Sequence, residues 1–400
     1  MLTNLFSDLS PRPDDPILGV ARAFGEDPRA DKVNLSVGVY LDDEGRIPLQ
    51  PVVAEAEKRL LDSKAPHGYG PMEGLPKFCS AVKRLVFGDD PELLARICTV
   101  QTLGGTGALQ LGAAFAQKNL NVTTGAVSNP TWGNHVAILK EAGLNVLRYA
   151  YYDAATLSVD REGFFAGLEA LPERTLVVLH ACCHNPTGVD ITIDDWKRVL
   201  DIVEVKNLIP FLDMAYQGFG EGLEEDARAL RMFAASGVSM MAATSSSKNF
   251  GLYGERAGAL HVVGANETEA KVLKTILNAL VRAEYSNPPR HGGAVVAEVL
   301  NDPELLPAWK SEVEGCRNRI LAMRRALFEA GKAEGADLSF IIRQKGMFSF
   351  TGFTKEEMIR LREEFGIYGV ENGRICVAGL NTKNVGKVAK AFARVLKDRK

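Results

Sequence analysis

No run in this chain approaches the ~18 consecutive apolar residues of a membrane-spanning helix. The opening Met1-Leu-Thr-Asn-Leu-Phe-Ser-Asp also lacks a basic segment followed by an apolar one. A soluble, unexported, cytoplasmic protein with no membrane partner is expected. Cysteine is scarce: Cys79, Cys98, Cys182, Cys183, Cys316 and Cys376 are the six in 400 residues, and they follow no framework spacing. Reduced thiols are therefore expected rather than disulfides. Nor do the histidines and cysteines of His180-Ala-Cys-Cys-His184 show the paired ligand spacing of a zinc site, so no metal is expected. Charge of neither sign dominates; at a net −3 there is no whole-protein field for nucleic acid, and any anion must be held by local clusters. A GxGxxG fingerprint with an acid about twenty residues on is missing, which argues against a nicotinamide-dependent dehydrogenase. Internal repeats and low-complexity tracts are absent as well.

What remains is a chain too long for one hydrophobic core, so two domains of unequal size are expected. Its 46% hydrophobic and 24% charged residues are ordinary for a globular protein, and its 38 glycines exceed the roughly 7% average. Residues 1–20 are rich in proline and aspartate and read as an extended arm whose Leu2, Leu5 and Phe6 need an apolar surface, which a partner subunit would provide. From about Gln101 to Leu260 short apolar runs alternate with helical periods: Leu176–Leu179, Trp196–Glu204, Leu208–Leu212, Ala227–Ser236. This is the pattern of an α/β fold with a mostly parallel sheet, whose ligands gather at the carboxyl ends of the strands. After Asn301, Leu305, Trp309, Val313, Cys316, Ile320, Met323 and Leu327 recur at helical spacing, predicting a long helix that links the two domains. From about Gly335 the runs Phe340-Ile-Ile, Met347-Phe-Ser-Phe and Arg374-Ile-Cys-Val predict strands of a smaller α+β domain.

The densest chemistry lies in Ser245-Ser246-Ser247-Lys248-Asn249-Phe250-Gly251-Leu252-Tyr253-Gly254-Glu255-Arg256. A lysine amine with few carboxylate neighbours, held in a partly desolvated pocket, favours its neutral form and can attack an aldehyde to form a Schiff base. Ser245, Ser247 and the planar fork of Arg256 suit a phosphate. An aldehyde and a phosphate on one molecule point to pyridoxal 5'-phosphate, bonded at Lys248. A lone Ser-Lys pair is far more often part of a Ser-rich surface turn, and the rest of the chain reverses those odds.

Other segments supply the complement. Thr102-Leu-Gly-Gly-Thr-Gly-Ala-Leu-Gln110 opens a helical stretch with glycines that let backbone N–H groups approach an anion. Asp213 follows the apolar strand Leu208–Leu212, where a carboxylate can ion-pair a protonated pyridine nitrogen and keep the ring an electron sink. Tyr216, three residues on, can reach the ring's phenolic oxygen, and Asn185 of His184-Asn-Pro-Thr-Gly188 can donate an amide hydrogen bond to it. In Ser128-Asn-Pro-Thr-Trp-Gly-Asn-His135, Trp132 offers a flat face for stacking on an aromatic ring. His135 is a candidate for orienting Asp213, and His180 is placed behind the site with it.

Together these motifs resemble the fold-type I aminotransferases, specifically the aspartate and aromatic amino acid group. The likeness runs through Val33-Asn-Leu-Ser-Val-Gly-Val-Tyr40, Gly104-Gly-Thr-Gly-Ala-Leu109, Cys183-His-Asn-Pro-Thr-Gly188, Asp213-Met-Ala-Tyr-Gln-Gly-Phe219, Tyr285-Ser-Asn-Pro-Pro289 and Gly373-Arg-Ile-Cys-Val-Ala-Gly379. The resemblance implies an N-terminal arm (1–14), a large cofactor-binding domain (48–313) on a mostly parallel seven-stranded sheet, and a smaller α+β domain (15–47 with 314–400). It implies Lys248 as the covalent lysine, Arg256 and the Gly105-Thr106 backbone at the phosphate, and Arg374 on the substrate α-carboxylate, with Gly38, Trp132 and Asn185 beside the substrate. It further implies a homodimer in which Tyr69, Arg282 and Ser286 reach into the partner's site: Tyr69 to the phosphate, Arg282 to the substrate side chain, Ser286 close by. Asn129-Pro130 and Asn185-Pro186 match positions of cis peptides.

The activity so implied is reversible, ping-pong transamination between an amino acid and 2-oxoglutarate, with Lys248, Asp213 and Tyr216 as catalytic residues. For the donor, Leu41, Ile47 and the run Cys376-Val-Ala-Gly-Leu-Asn-Thr382 resemble members that also accept aromatic substrates, whereas Val39, Thr106 and Asn287 resemble aspartate enzymes. Ser246 stands where many relatives carry a larger residue, so packing beside the cofactor is expected to differ. Decarboxylation or β-elimination on the same cofactor, and a non-catalytic regulatory protein that keeps the fold, are the other readings.

Overall fold

A computed structural model describes residues 6–7, 9–11 and 16–399, the side chains of 16–18 excepted. Leu2 and Leu5 of the expected arm lie outside the described residues; Phe6 is 74% exposed. Seven strands form the central sheet: β1 (Ile97–Leu103), β2 (Thr124–Asn129), β3 (Asn145–Ala150), β4 (Leu176–His180), β5 (Ile209–Met214), β6 (Met240–Ser245) and β7 (Ala257–Val263). Their spatial order is β1-β7-β6-β5-β4-β2-β3. All pairings are parallel except those of β7, which runs against both of its neighbours. Strands β6 and β7 are buried along their whole length, because helices cover both faces. This is why their sequences read as continuous apolar runs rather than as alternating ones.

The topology lines up the strand ends. Leu103, Asn129, Ala150, His180, Met214 and Ser245 finish the six parallel strands along one edge, and β7 begins at that same edge with Ala257. Every loop that leaves this edge is therefore available to one ligand. The helix Gly104–Leu120 starts directly at the end of β1 and lies on one face, with Leu111 and Phe115 packed into a cluster that includes Phe211 and Leu260. Trp196 and Phe233, from the helices Ile193–Val205 and Arg228–Ser236, meet edge-on at 6.0 Å in the core cluster that also holds Val177, Leu179 and Leu212.

Outside this sheet, Val33–Asn34 pairs in parallel with Ile367–Tyr368, and Phe348–Phe350 pairs antiparallel with Arg374–Cys376. The helices Lys355–Phe365 and Val385–Lys397 accompany them. The long helix expected after Asn301 is Leu305–Ala333. Its first turns carry Leu305, Trp309 and Val313 into a cluster with Val52, Phe78 and Phe250, while Ile320, Met323 and Leu327 join the core that holds Phe340, Ile375 and Phe392.

Two expectations are corrected. Phe340-Ile-Ile is not a strand but part of a short helix, Phe340–Arg343. Phe340 and Ile341 are adjacent and both buried while Ile342 is 47% exposed, a helical rather than alternating burial, so tertiary packing overrides the β-preference of isoleucine. Asp213 does not follow its strand but lies within β5, opposite His180 in the ladder. The strand runs on because β4 and β6 flank it that far.

Trp309 ties the long helix to the sheet edge: its ring stacks on Phe250 at 4.5 Å and its Nε1 donates to the Asn249 carbonyl at 2.9 Å. Both residues neighbour Lys248. Trp309→Ala should lower unfolding free energy by about 3–5 kcal/mol, and Trp309→Phe, which loses the hydrogen bond, by about 1 kcal/mol or somewhat more. Urea unfolding checks this, and an alanine variant as stable as the parent would show that the ring anchors nothing.

Candidate active site

The loops at the carboxyl edge converge on a cleft of about 250 Å³. From the helix after β1 come Gly105, Thr106 and Leu109; Trp132 follows β2; His180 ends β4 and Asn185 follows it. Asp213, Ala215 and Tyr216 come from β5 and its exit, Ser245, Ser247 and Lys248 from the end of β6, and Arg256 from the entry to β7. Gly38, Phe348 and Arg374 close the cleft from outside the sheet. The peptide bonds before Pro130 and Pro186, in the loops that carry Trp132 and Asn185, are cis.

Asp213 is 6% exposed, and its Oδ2 lies 3.0 Å from His135 Nε2. Burial raises its pKa, but the hydrogen bond from His135, with the imidazoles of His135 and His180 and the Lys248 amine close by, outweighs burial and holds the carboxyl below its ordinary range. His135 thus lies behind Asp213, and its Nδ1 is 2.9 Å from the Thr131 hydroxyl. His180 packs on His135 at 4.9 Å; burial, with His135 nearby, lowers its pKa to about 3 and keeps it neutral.

Lys248 is half-buried, with Nζ 4.9 Å from the centre of the Tyr216 ring. Burial pushes its pKa down to about 8; Asp213 opposes the shift, and Arg256 and Arg374 add to it. The Tyr216 hydroxyl accepts from Asn185 Nδ2 at 3.4 Å, and burial pushes its pKa up, so it stays a proton donor. Asn185 Oδ1 accepts in turn from Arg374 Nη1 at 3.4 Å, while Arg374 Nη2 donates to the Ser36 carbonyl at 2.7 Å.

Across the cleft Arg256 donates to the Ser247 hydroxyl at 3.5 Å and to the Tyr253 carbonyl at 3.1 Å. Its guanidinium lies over the turn at Gly104, where φ is +66° and a Cβ would come within 2.7 Å of Nη2. Only glycine admits both that backbone and that approach. The first N–H groups of the helix Gly104–Leu120, the Ser245 and Ser247 hydroxyls and Arg256 form a donor set suited to a phosphate. With a near-neutral amine and a buried anion in the same cleft, the residues fit pyridoxal phosphate.

Tyr69, Arg282 and Ser286, expected to serve a partner's site, are not in this cleft. Tyr69 is 98% exposed, and Arg282, at the surface, donates to the hydroxyl of Ser286. Leu41 and Ile47 do not line the cleft either, and Ile47 is 50% exposed. Conversely, Leu109, Ala215 and Phe348 line it without having been singled out; Leu109 and Ala215 sit inside motifs already noted, but nothing local marked Phe348. Ser246 is buried, its N–H bonded to the Ala257 carbonyl at 3.0 Å. His135, His180 and Asp213 lie close enough to hold a metal ion, yet the hydrogen bonds described occupy Asp213 and both nitrogens of His135.

Known proteins resemble this chain over nearly its whole length. The profile of the family described as aminotransferase class I and II matches residues 30–392. An aspartate aminotransferase of Pseudomonas aeruginosa is 51% identical over 397 residues, 98% of this chain and 100% of that protein. An aromatic-amino-acid aminotransferase of Escherichia coli is 49% identical, again over 98% and 100% of the two chains. The crystal structure of an aromatic-amino-acid aminotransferase from Burkholderia pseudomallei, covalently bound to pyridoxal phosphate, superposes with a TM-score of 0.96 at 49% identity, covering 98% and 99% of the chains.

Attack on an aldehyde needs the neutral amine, so the depressed Lys248 pKa has a kinetic signature. The rate at which the cofactor-free protein combines covalently with pyridoxal phosphate should rise with pH through an inflection near 8, rather than near the ordinary 10.5. An inflection above about 10 would show that the amine is solvated like an ordinary lysine.

Proposed function

This chain belongs to the class I and II aminotransferases, in the aspartate and aromatic amino acid group, and is a pyridoxal phosphate-dependent transaminase; we propose that Lys248, Asp213 and Tyr216 carry its chemistry. The observation that supports this most is the placement of the Lys248 amine, pKa about 8, in one cleft with a buried ionised Asp213. When bound, the cofactor supplies a sink for the electron pair left on the substrate Cα as its proton departs. Lys248 Nζ would be the covalent attachment point and, as a free amine, would carry the Cα proton as base and then as acid. Asp213, ionised and oriented by His135, would hold a proton on the pyridine nitrogen. Tyr216 and Asn185 would donate to the phenolic oxygen, and Trp132 would cover the ring. Gly105, Thr106, Ser245, Ser247 and Arg256 would hold the phosphate. Arg374 grips the substrate α-carboxylate beside Gly38, which orients the Cα–H bond.

We further propose a cytoplasmic homodimer with shared sites. Tyr69, Arg282 and Ser286 are outside the cleft of their own chain, as residues serving a partner's cleft would be. In this reading 1–14 is an arm on the partner, 48–313 the large domain and 15–47 with 314–400 the smaller one. The donor range spans aspartate and aromatic amino acids, with 2-oxoglutarate as acceptor. An Arg282 buried against an aromatic substrate would lose about 3–5 kcal/mol as an unpaired charge. A surface arginine avoids that loss by turning to water.

The visible absorption band of the loaded protein tests the donor range. Aspartate and phenylalanine, added separately without oxo acid, should each abolish it and leave one equivalent of oxo acid, with no carbon dioxide or ammonia. Response to aspartate alone would make this a narrow aspartate enzyme, and gas or ammonia release would point to a decarboxylase or lyase.

Shared sites make a second prediction. Lys248→Ala protomers are inactive and Arg282→Ala protomers are poor with aspartate. A hybrid dimer of the two has one site with both residues intact, so mixing should restore about half of the parent's aspartate activity per hybrid dimer. No recovery after subunit exchange would place Arg282 in its own chain's site.

A further inference from the structure

We propose that Phe348 is a positioning residue of this active site: its ring sets the plane of the Arg374 guanidinium, and Gly38 is glycine because the ring must pass there. The inference rests on the reading of Arg374 as the carboxylate grip.

Phe348 opens the strand Phe348–Phe350 and pairs with Cys376 on the strand that Arg374 begins. It is 2% exposed and lines the cleft. The Arg374 guanidinium carbon lies 4.4 Å from the ring centroid, within range of a cation–π contact. Tyr216 meets the same ring edge-on, at 5.7 Å and 84°. On a third side stands Gly38, where a Cβ would come within 2.7 Å of Phe348 Cζ. The ring is thus wedged between the two residues proposed to contact substrate and cofactor and the backbone at Gly38.

A guanidinium carries all its N–H donors in its plane. Arg374 uses part of that plane on the Ser36 carbonyl and on Asn185 Oδ1. These bonds hold the edge of the group but resist tilting weakly, the Asn185 bond at 3.4 Å least of all. A ring against the face opposes tilt without itself occupying a donor. The ring is itself held from behind. Buried Arg324 donates to the carbonyls of Ile341, Gly346 and Phe348 at 2.9, 2.8 and 2.5 Å, pinning the backbone that presents it.

Phe348→Leu removes the aromatic face and keeps an apolar side chain; Gly38→Ala leaves position 348 alone and displaces the ring. Succinate, titrated into the loaded protein by calorimetry, reads the carboxylate grip apart from turnover. Each variant should bind succinate about tenfold more weakly. Each should also lose kcat/KM for aspartate and for phenylalanine by a similar factor, mostly through KM, because both donors carry the same α-carboxylate. The double variant should be no worse than Phe348→Leu, since the added methyl then meets no ring. Cofactor affinity should be unchanged in all three, which loss of general packing would not predict. Succinate affinity within twofold of the parent in both single variants, while Arg374→Ala loses it, would overturn the role of Phe348. Unchanged affinity in Arg374→Ala would instead overturn the reading of Arg374, and this inference with it.

Discussion

A carboxylate kept ionised almost without solvent is the constraint on which the rest of this active site depends. Asp213 sits inside a central strand of the sheet, so the protein must supply what water does not. His135 Nε2 does so at 3.0 Å, and the Thr131 hydroxyl at its Nδ1 holds the ring in place. Since the carboxylate requires a donor, Nε2 turns its N–H toward Asp213, and the Thr131 hydroxyl at Nδ1 fixes the orientation of the ring. Behind His135 the rings of His180, His184 and Tyr151 follow one another at 4.9, 4.3 and 4.0 Å. Burial keeps both of these further histidines neutral, so the column supports the carboxylate without adding titrating charges beneath it. Taking away one partner of such a charge costs about 3–5 kcal/mol.

Among the described residues, the cleft sets three cationic groups, Lys248, Arg256 and Arg374, against that anion. The surplus of positive charge matches a ligand pair that carries a phosphate and carboxylates, although the chain as a whole is slightly acidic. The same surplus depresses the Lys248 pKa, which burial alone would already lower. Binding electrostatics and lysine reactivity thus have a common source. The two arginines are fixed by different parts of the chain: Arg256 by the Gly104 turn at the sheet edge, Arg374 by Ser36, Asn185 and the Phe348 ring. Movement of one part against the other would alter the substrate grip and leave the phosphate seat in place.

Much of the site was legible in the chain because its residues sit in short segments at strand ends. Lys248 lies three residues past β6, Tyr216 two past β5, and Asn185 five past β4. An apolar run followed by small polar residues reveals such positions before any coordinates do. Phe348 escaped because an aromatic residue in an apolar run looks like core, and it is core; its second role comes from Arg374 and Gly38, far away in sequence. Leu41 and Ile47 do not line the cleft, so their apolar character bears on the donor through sequence likeness alone.

The amino-acid sequence by itself determined the α/β alternation, the long helix after Asn301, and the residue types able to hold an aldehyde, a phosphate and a carboxylate. These follow from periodicity and side-chain chemistry, which are local. Only the tertiary structure decided that Asp213 lies within its strand, that Phe340–Arg343 is helical, and that Lys248 loses enough solvent for its pKa to fall to about 8. Each of these depends on what packs alongside, and burial, pairing and desolvation are set by neighbours in space.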